Sequence, residues 1–453
     1  MSAGAKAAAA VAAVLLISAA ASASQEAEES ASCSLGDNAT AVECAVDATG
    51  RRNVGGPDFL SRLPSAGIKS LRLRCRGGGN GDDVFLYLRD VLDAGLETAS
   101  AASAGALTFP HGGLERLEVV DCPVRRLQRL DLLFIASSVT PGLVSLAVRN
   151  ERADLVAERR ARPLLTVEAD AFQDAPRGLA DLDLSGNGLS SADPLALLCP
   201  LGRTLATLNV SHNAFEGVGA AASCPLEKLR HLHASHNRVR RVAAAAAFNR
   251  SLPNLSELDL SSNGLASLGP GALGGLRDLR VVRLSHNALQ SLPGDLFGRA
   301  NGVLELYLGN NSLREIPAAL LESLGGRLLV LNLSNNAVSS NSRWLRAAPF
   351  GALKSLVALD LSHNRLAELG GDLLRGLDSL QVLTAAHNQI RSLAEDAFAH
   401  TPSLHALVLS HNGLEDLRQA GGKLDASRGS AFDGLEKISS LALDHNRLKV
   451  LDR

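Results

Sequence analysis

The sequence contains few aromatic residues and no strong excess of charge of either sign. Aromatic side chains make up 3% of the 453 residues, with one Trp and two Tyr, whereas hydrophobic residues make up 46%. Leu and Ala must therefore fill most of the interior, which suits many small, similar layers better than one irregular core. The formal net charge is only -2, and no basic stripe or acidic tail is visible. This charge pattern argues against a nucleic-acid partner.

Catalytic and cofactor motifs are also missing. The sequence has no nucleophile elbow, phosphate-binding loop, His-Glu-x-x-His motif or paired acids in a context that would support them. We therefore expect no enzymatic activity, no cofactor and no metal site. Binding is the function class that is left.

The N-terminus has the pattern of a secretory signal. Lys6 precedes an apolar run to about Ala20, and the small residues Ala21-Ser22-Ala23 follow, which predicts a signal peptide over 1–23. The alternative is an uncleaved membrane anchor, but the run is barely long enough to span a bilayer, and no second segment of about 20 apolar residues follows. We expect the secretory pathway, with the protein at the cell surface if a longer chain carries an anchor and secreted if this chain is complete.

One phrase repeats from Leu179 onward, namely apolar-x-x-apolar-x-apolar-x-x-Asn-x-apolar. Its copies lie mostly 24 to 26 residues apart, which is the length of a leucine-rich repeat. The Asn slots are Asn187, Asn213, Asn237, Asn263, Asn287, Asn311, Asn336, Asn364, Asn388, Asn412 and Asn446.

Each copy predicts one turn of a solenoid. Apolar residues two apart, such as Leu182 and Leu184, indicate a short strand with one buried face. Stacked turns align these strands in parallel, so the expected fold is an α/β leucine-rich-repeat solenoid, a curved horseshoe with a parallel concave β-sheet. The inward Asn can bond to backbone groups that would otherwise be buried unpaired, so the Asn column is interpreted as structural and not as a ligand site.

The sequence also contains a second column of apolar residues, here called the apolar rib, and a set of weaker repeats. The rib is predicted to be core and consists of Phe172, Phe297, Phe350, Phe398 and Phe432, with Leu273, Leu321 and Leu374 in its place elsewhere. Looser copies of the phrase begin at Ile68, Leu114 and Leu143. The predicted regions after the signal peptide are an N-terminal cap region at 24–67, irregular repeats at 68–178, and regular repeats at 179–453 that end without a C-terminal cap.

Cysteines in a secreted chain pair with one another, and six allow fifteen connectivities. Cys199 and Cys224 occupy nearly equivalent positions on neighbouring turns, about 5 Å apart, which a disulfide can span. The register favours Cys199 with Cys224 and lets Cys75 face Cys122 across adjacent turns. Cys33 and Cys44 lie outside the repeats and would then pair as an N-terminal cap over the first exposed edge.

Several surface features remain as candidates. Asn-x-Ser/Thr sequons predict glycosylation at Asn38, Asn209, Asn249, Asn254, Asn310 and Asn332. Asn209 and Asn332 lie on strands, so glycans there would cover part of the face that solenoids usually offer to partners. Tyr307, on an outward strand position, and Trp344, in an insertion, are possible partner contacts, although a lone Trp is more often half-buried.

One column of identical residues stands out. Each of its members directly precedes the Asn of a repeat, here called a ladder Asn. The members are His212, His236, His286, His363, His387, His411 and His445. Stacked imidazoles would repel one another when protonated, so one hypothesis is a pH-sensing or metal-binding edge. The alternative is that His is a solvent-facing filler of this repeat.

The irregular features resemble a known family more closely than the regular turns do. They are Leu71-Arg72-Leu73-Arg74-Cys75, the Cys122 turn, Leu146-Ala147-Val148-Arg149-Asn150, Leu198-Cys199-Pro200-Leu201, the interrupted turn before Cys224, Glu305 to Ser312, and the insertion around Trp344. In place and order they resemble the N-terminal ectodomain of the long Toll receptors of arthropods, relatives of Toll-like receptors. The resemblance implies a single-pass receptor whose ectodomain binds protein ligands or other leucine-rich-repeat receptors, and which can form a receptor dimer. An intracellular TIR domain would signal in innate immunity or developmental cell-surface patterning.

Two departures limit that resemblance. The family's further repeats, cysteine-rich cap, membrane helix and TIR domain are not in this sequence, and the stretch 418–430 is not expected from the family. A stack that stops at Arg453 would expose an apolar layer, so a truncated or fragmentary chain is expected. The competing hypothesis is a soluble secreted matrix or decoy binding protein without signalling of its own.

Overall fold

The structure is a computed structural model. The residues it describes are 33–35, 41–47, 69–76, 85–87, 114–122, 124–136, 142–151, 165–190, 194–218, 224–242, 250–298, 302–340, 342, 344–394, 396–415, 432 and 435–449. The chain divides into two compact units, Met1–Gly188 and Leu189–Arg453. The expected signal peptide and the irregular stretches 95–113 and 418–430 lie outside the described residues. Within the described ranges, no helix has both the length and the apolar character needed to cross a membrane.

The first unit is built from short strands and one helix. Its strands are β1 (Cys33–Leu35), β2 (Ala41–Asp47), β3 (Ser70–Arg76), β4 (Phe85–Tyr87), β5 (Arg116–Val120), β6 (Val124–Leu127), β7 (Ser145–Arg149), β8 (Thr166–Val167) and β9 (Asp181–Asp183), and its helix is α1 (Arg129–Phe134). The main sheet runs β1-β2-β3-β5-β7-β9, and β4-β6-β8 form a second sheet. Only β1 pairs antiparallel among the pairings in these described segments, with Cys33 and Cys44 as directly opposed Cα partners.

The second unit repeats one strand per turn. Its strands are β10 (Thr207–Asn209), β11 (Gly217–Val218), β12 (His231–His233), β13 (Arg241–Val242), β14 (Glu257–Asp259), β15 (Val281–Arg283), β16 (Glu305–Tyr307), β17 (Val330–Asn332), β18 (Ala358–Asp360), β19 (Glu368–Leu369), β20 (Val382–Thr384), β21 (Ser392–Leu393), β22 (Ala406–Val408) and β23 (Ser440–Ala442). The parallel sheet runs β10-β12-β14-β15-β16-β17-β18-β20-β22-β23, and β11-β13 and β19-β21 form small parallel pairs.

Short helices cover the side of the second unit's turns away from the main sheet. They are α2 (Ala318–Leu324), α3 (Gly371–Leu374) and the 3-10 helices Pro194–Leu201, Gly325–Arg327 and Leu345–Ala347. In α2 the chain enters through Pro317, whose fixed φ suits a helix start, and Leu320, Leu321 and Leu324 are buried.

The core is layered, as the repeat predicts. In most three-residue strands only the central apolar residue is buried, as Leu208, Leu258 and Leu306 show, and the residues on either side are half-exposed. The apolar rib lies on the opposite side of each layer and is also buried, with Phe172, Phe297, Phe350 and Phe398 at 1% exposure or less, and with Leu273, Leu321 and Leu374. Phe432 is half-buried and stacks on Phe398 at 6.0 Å. Each turn therefore contributes one small slice to a continuous core.

The Asn slots form a hydrogen-bond ladder between turns. In Asn237, for example, Nδ2 donates to Val210 O of the preceding turn at 2.9 Å and to Ala234 O of its own turn at 3.2 Å. Its Oδ1 accepts the backbone N–H of Phe215 at 3.1 Å. The same pattern recurs with little variation at Asn263, Asn287, Asn311, Asn336, Asn364, Asn388, Asn412 and Asn446. The amide satisfies backbone groups of two turns at once, which explains why Asn recurs at this position in the regular repeats.

Two disulfide bonds lie among the described cysteines. Cys75 pairs with Cys122 in the first unit, with 4.9 Å between Cα atoms, and Cys199 pairs with Cys224 in the second unit, with 5.6 Å. These are the two pairings that the repeat register predicts. The side chains of Cys33 and Cys44 lie outside the described atoms, so their pairing stays a prediction.

Candidate binding surface on the sheet

The outer face of the second unit's sheet carries two columns of side chains. A strand of three residues buries its central residue and turns the first and third outward, because side chains alternate along a strand. The sequence interpretation considered only the third position, for example Arg283 and Tyr307. The first position, with His231, Glu257 and Glu305, is equally outward and half-exposed. The first position could have been identified from the sequence, because it lies two residues before the third position on the same strand.

A connected polar cluster forms where these columns meet at β12, β14, β15 and β16. The guanidinium of Arg283 pairs with the carboxylate of Glu257, and His231 Nδ1 lies 3.3 Å from the other carboxylate oxygen. The Arg283 guanidinium also lies over the Tyr307 ring, 5.4 Å from its centroid. The Tyr307 hydroxyl donates to Glu305 at 2.8 Å. We call these five residues the Arg283–Tyr307 cluster.

The cluster is partly shielded from water, and its ionisation reflects this. Desolvation tends to raise the pKa of Glu257, but the charge of Arg283 and the hydrogen bond with His231 outweigh it and leave the pKa lowered. Desolvation and the hydrogen bond to Glu305 both raise the pKa of Tyr307. At neutral pH the cluster thus presents an ionised carboxylate, a guanidinium and a neutral phenol. Tyr and Arg held in this way are the residue types that contribute most to protein–protein interfaces.

Other third-position residues on the strands have a structural role that the sequence interpretation missed. The side-chain Oδ1 of each accepts the backbone N–H of the residue two further on, at 2.9 to 3.0 Å: Asp183, Asn209, Asp259, Asn332 and Asp360. This bond closes the turn that leaves the strand. Acids and amides in this column are therefore needed for the fold, which separates them from the Arg283–Tyr307 cluster.

At three of the predicted glycosylation sites the amide nitrogen Nδ2 already forms a hydrogen bond. Asn332 Nδ2 donates to Asp360 at 3.2 Å, and Asn254 Nδ2 donates to Glu227 O at 2.7 Å. Asn310 contacts His286 Nε2 at 3.2 Å through Nδ2. A glycan at any of these three would replace one of the two hydrogens on Nδ2 and leave one N–H able to donate. Asn38 and Asn249 lie outside the described residues, and glycosylation of all six stays a prediction.

Trp344 lies in a different environment from Tyr307. It is half-buried at the start of the 3-10 helix Leu345–Ala347, and its ring meets the buried Phe350 edge-on, with 5.6 Å between centroids. Its Nε1 atom is buried, and no hydrogen-bond partner for it lies among the described atoms. This packing favours the half-buried role over the partner contact. Tyr307 is therefore the stronger of the two candidates.

The histidine column has a conformational cause. Every residue of this column in the second unit has a left-handed backbone, and φ is 51° to 56° for the seven histidines. Asn, Asp and His tolerate that region far better than most side chains, which accounts for the histidines, Asn310 and Asn335. Ser262 is the remaining residue of the column in this unit. In the first unit, Gly186 occupies the same position of the repeat, with φ of 72°. A Cβ there would lie only 2.0 Å from Asn150 O, so a side chain would clash.

Consecutive histidines of the column stack ring on ring. Centroid distances are 4.0 to 4.2 Å, and interplanar angles are 9° to 12°, for the pairs His212–His236, His363–His387, His387–His411 and His411–His445. Desolvation and the neighbouring His236 lower the pKa of His212. Desolvation and then the charges of His445 and His387 lower the pKa of His411. Desolvation and the stacked neighbours thus disfavour protonation of His212 and His411.

One cluster in the described part of the chain has the composition of a metal site. His411, Asp444 and His445 each offer one ligand atom, and these atoms lie within 4.8 Å of one another. The sequence analysis raised a metal-binding edge on the histidine column, which includes His411 and His445, but it missed Asp444. The signal was visible, because Asp444 stands where most turns of the second unit have Ser in the phrase Ser-His-Asn.

Comparisons with known proteins agree with this architecture. The Leucine rich repeat family pattern matches residues 242–289, 253–313, 277–338 and 354–414, and a second Leucine Rich repeat pattern matches 203–222. The fold is a leucine-rich-repeat solenoid. The solved structure of the Toll–Spatzle complex from Drosophila contains a chain that aligns over 91% of this chain, with a TM-score of 0.63, 22% identity and 55% of its own length covered. The chain of the TLR13–ssRNA13 complex aligns over 90%, with a TM-score of 0.63, 23% identity and 52% coverage.

Two curated proteins are similar to parts of this leucine-rich-repeat solenoid in sequence. Toll-like receptor 7 of Drosophila melanogaster is 29% identical over 186 residues, which is 38% of this chain and 12% of the receptor. Tsukushi of Xenopus tropicalis is 35% identical over 97 residues, which is 21% of this chain and 27% of Tsukushi. The matches thus span only a minor part of each relative. Because a solenoid of this fold occurs in a complex with RNA, the sequence-based exclusion of nucleic acid is not supported.

Proposed function

We propose that this chain is the extracellular ligand-recognition region of a Toll-like transmembrane signalling receptor of innate immunity or developmental cell-surface patterning, and that it binds a protein ligand. The observation that carries the proposal is the similarity to Drosophila Toll-like receptor 7 over 186 residues. The long Toll receptors of arthropods are the proposed subgroup, on the strength of the irregular turns around Cys75, Cys122 and Cys199. Recognition without catalysis is the proposed mode of action.

The Arg283–Tyr307 cluster is the proposed contact surface. Its guanidinium and phenol ring are already held by Glu257 and Glu305, so binding would cost little side-chain entropy. The cluster is half-exposed and lies mid-sheet in the second unit, with further outward strand positions on both sides. Those properties suit the centre of a protein interface, where Tyr and Arg contribute the most binding energy.

A second candidate is a soluble secreted leucine-rich-repeat matrix or decoy protein. The similarity to Tsukushi, at 35% identity, is the reason to retain it. Both candidates place the chain in the secretory pathway with an exposed binding surface. They differ in whether the complete protein signals.

The transcript beyond the codon for Arg453 separates the two candidates. A membrane helix followed by a TIR domain in the same reading frame would establish the receptor, and a verified stop codon would overturn it in favour of the secreted protein. The protein encoded by the full transcript is then used to capture a ligand from extracellular fluid, with RNase-treated and untreated samples run in parallel. Loss of the captured material on RNase treatment would identify a nucleic-acid ligand and contradict the proposed protein ligand.

Variants of the cluster test the contact surface once a ligand is captured. We expect Tyr307→Ala and Arg283→Ala each to weaken binding by at least tenfold, which is about 1.4 kcal/mol. Tyr307→Phe keeps the ring under the guanidinium and removes only the hydroxyl, so it should weaken binding less. Arg314→Ala, at an exposed position outside the strands, is the matched control. Equal binding by Tyr307→Ala and the control would exclude this face as the contact.

A further inference from the structure

His411, Asp444 and His445 are brought together by the stacking of two turns. The backbone N–H of His411 donates to Asp444 O at 3.0 Å, which holds the two turns in register. The rings of His411 and His445 lie 4.0 Å apart and nearly parallel. His445 Nδ1 lies 2.8 Å from Asp444 Oδ2. Two imidazoles and a carboxylate therefore share one small surface site.

The position of the carboxylate is fixed by a neighbouring hydroxyl. Ser410 Oγ donates to Asp444 Oδ1, which leaves Oδ2 directed at His445. The left-handed backbone at His411 and His445 sets the direction of both side chains, with φ of 54° and 56°. A hydrogen bond to the second oxygen of a ligating carboxylate is the kind of support that metal sites in proteins use. The three donors are thus held in place by the repeat itself.

We propose that His411, Asp444 and His445 form a surface site for a divalent transition-metal ion, with Zn²⁺ as the best match to a set of two nitrogens and one oxygen. Ligands of a tetrahedral Zn²⁺ are about 3.4 Å apart, given metal–ligand distances of about 2.0 to 2.2 Å. The ligand atoms here lie within 4.8 Å of one another, and all three side chains are exposed. The imidazoles are therefore free to rotate out of their parallel stack so that both nitrogens point at the ion. The fourth position is open to water or to a ligand from a partner.

The chain contains its own control for this site. His212 and His236 stack in the same way, with 4.1 Å between centroids and 9° between planes. At the position of Asp444 that turn has Ser235, whose hydroxyl contacts Ser211 at 3.1 Å. This pair has the stacked imidazoles and lacks the carboxylate. It should bind Zn²⁺ much more weakly if the carboxylate matters.

Calorimetric titration of the metal-free full chain with ZnCl₂ at pH 7.5 tests the proposal. We expect one tight Zn²⁺ per chain, and a loss of affinity of at least tenfold in His411→Asn, His445→Asn and Asp444→Ser. His236→Asn should change the Zn²⁺ affinity of the proposed site by less than twofold. Asn is chosen because Asn310 and Asn335 occupy the same left-handed position, and Ser because it is the usual residue before the histidine.

The unfolding midpoint of each variant in EDTA shows whether the fold is intact before the affinities are compared. Absence of saturable binding below about 1 mM Zn²⁺ in the unsubstituted chain would overturn the proposal. An equal loss of affinity in His236→Asn and His411→Asn would also overturn it, because it would indicate nonspecific binding to stacked imidazoles. Neither result depends on whether the proposed receptor function is correct, since no protein ligand takes part in the titration.

Discussion

The imidazole rings of His387 and His411 lie face to face, with 4.1 Å between centroids and 10° between planes. Both residues have a left-handed backbone, and the N–H of His387 donates to the carbonyl of Ser410, directly before His411. The register of the parallel turns therefore forces one ring onto the next. The stack is a consequence of the fold, and its chemical effects, including the pKa of His411 and the cluster with Asp444, follow from that register.

The stack makes stability depend on pH. The pKa of His411 is lowered from its ordinary value of 6.5, first by desolvation and then by His445 and His387, and Asp444 opposes the shift. A folded-state pKa below the unfolded one means that the folded chain binds fewer protons, so stability is full above about pH 6.5 and falls as pH drops through the folded pKa. We expect a lower denaturant midpoint at pH 5.5 than at pH 7.5. His387→Asn should reduce that difference.

The carboxyl groups with resolved pKa shifts do not contribute to this pH dependence. The pKa values of Glu257, Glu415 and Asp444 are all lowered, so the three carboxylates stay ionised across the same pH window. The comparison is made by chemical denaturation followed by circular dichroism, with EDTA present to remove metal ions. An identical pH dependence in His387→Asn and the unsubstituted chain would show that the stacked rings do not titrate as described.

Removal of one ladder amide should destabilise the second unit strongly. Asn388 is only 9% exposed; its Nδ2 donates to Leu361 O at 3.0 Å and its Oδ1 accepts from Leu366 N at 3.0 Å. Asn388→Ala leaves these buried backbone groups unpaired, at a cost of roughly 2–4 kcal/mol in unfolding free energy. Gln389→Ala, at the exposed neighbour, should change it by less than about 0.5 kcal/mol. Similar midpoints for the two variants would refute the structural role of the ladder.

The left-handed position before each ladder Asn predicts which substitutions it accepts. Ser262 has φ of 51°. Ser262→Val places a β-branched side chain in a disfavoured region and should cost about 1–2 kcal/mol. Ser262→Asn introduces a residue that already occupies this phase at Asn310 and Asn335, and it should be neutral or stabilising. Both are measured by denaturant unfolding, and a Val variant as stable as the Asn variant would contradict the conformational explanation of the column.

Loss of the disulfide in the second unit should weaken the turns it joins. Cys199 and Cys224 are 25 residues apart in sequence and 5.6 Å apart between Cα atoms. The double variant Cys199→Ala/Cys224→Ala removes a constraint on the unfolded chain, and we expect a loss of about 2–4 kcal/mol. Reduction of the unsubstituted chain should lower its midpoint, whereas the double variant should respond to reduction only through its other disulfides. A double variant with an unchanged midpoint would show that this bond contributes no stability.

Much of the architecture could be predicted from spacing alone. The strand at Leu182, the buried Phe297 and Phe398, and the pairing of Cys199 with Cys224 all follow from counting positions relative to a ladder Asn. This works because every turn repeats the same local geometry, so a position in the phrase corresponds to a position in space. The similarity to Toll-like receptors was likewise expected from the irregular turns, and the Drosophila match supports it only in part.

Contacts between side chains on neighbouring turns were harder to predict. The outward position of Tyr307 followed from the period, but its contacts with Arg283 and Glu305 did not. Trp344 could not be assigned until its ring was found against Phe350. The histidine column was visible in the sequence, whereas its backbone conformation was not, and that conformation is the reason for the column.

The sequence by itself determined that this protein is a stack of similar turns, because period, apolar spacing and a buried Asn are local properties that each turn repeats. Only the tertiary structure decided which side chains meet across turns, since that depends on register and rotamer between residues about 25 positions apart. The sheet register places Arg283 over Tyr307. The position of His411 and His445 in the repeat predicted that they lie on neighbouring turns, although 34 residues separate them. Only the structure shows that Asp444 joins them, with its carboxylate 2.8 Å from His445 Nδ1.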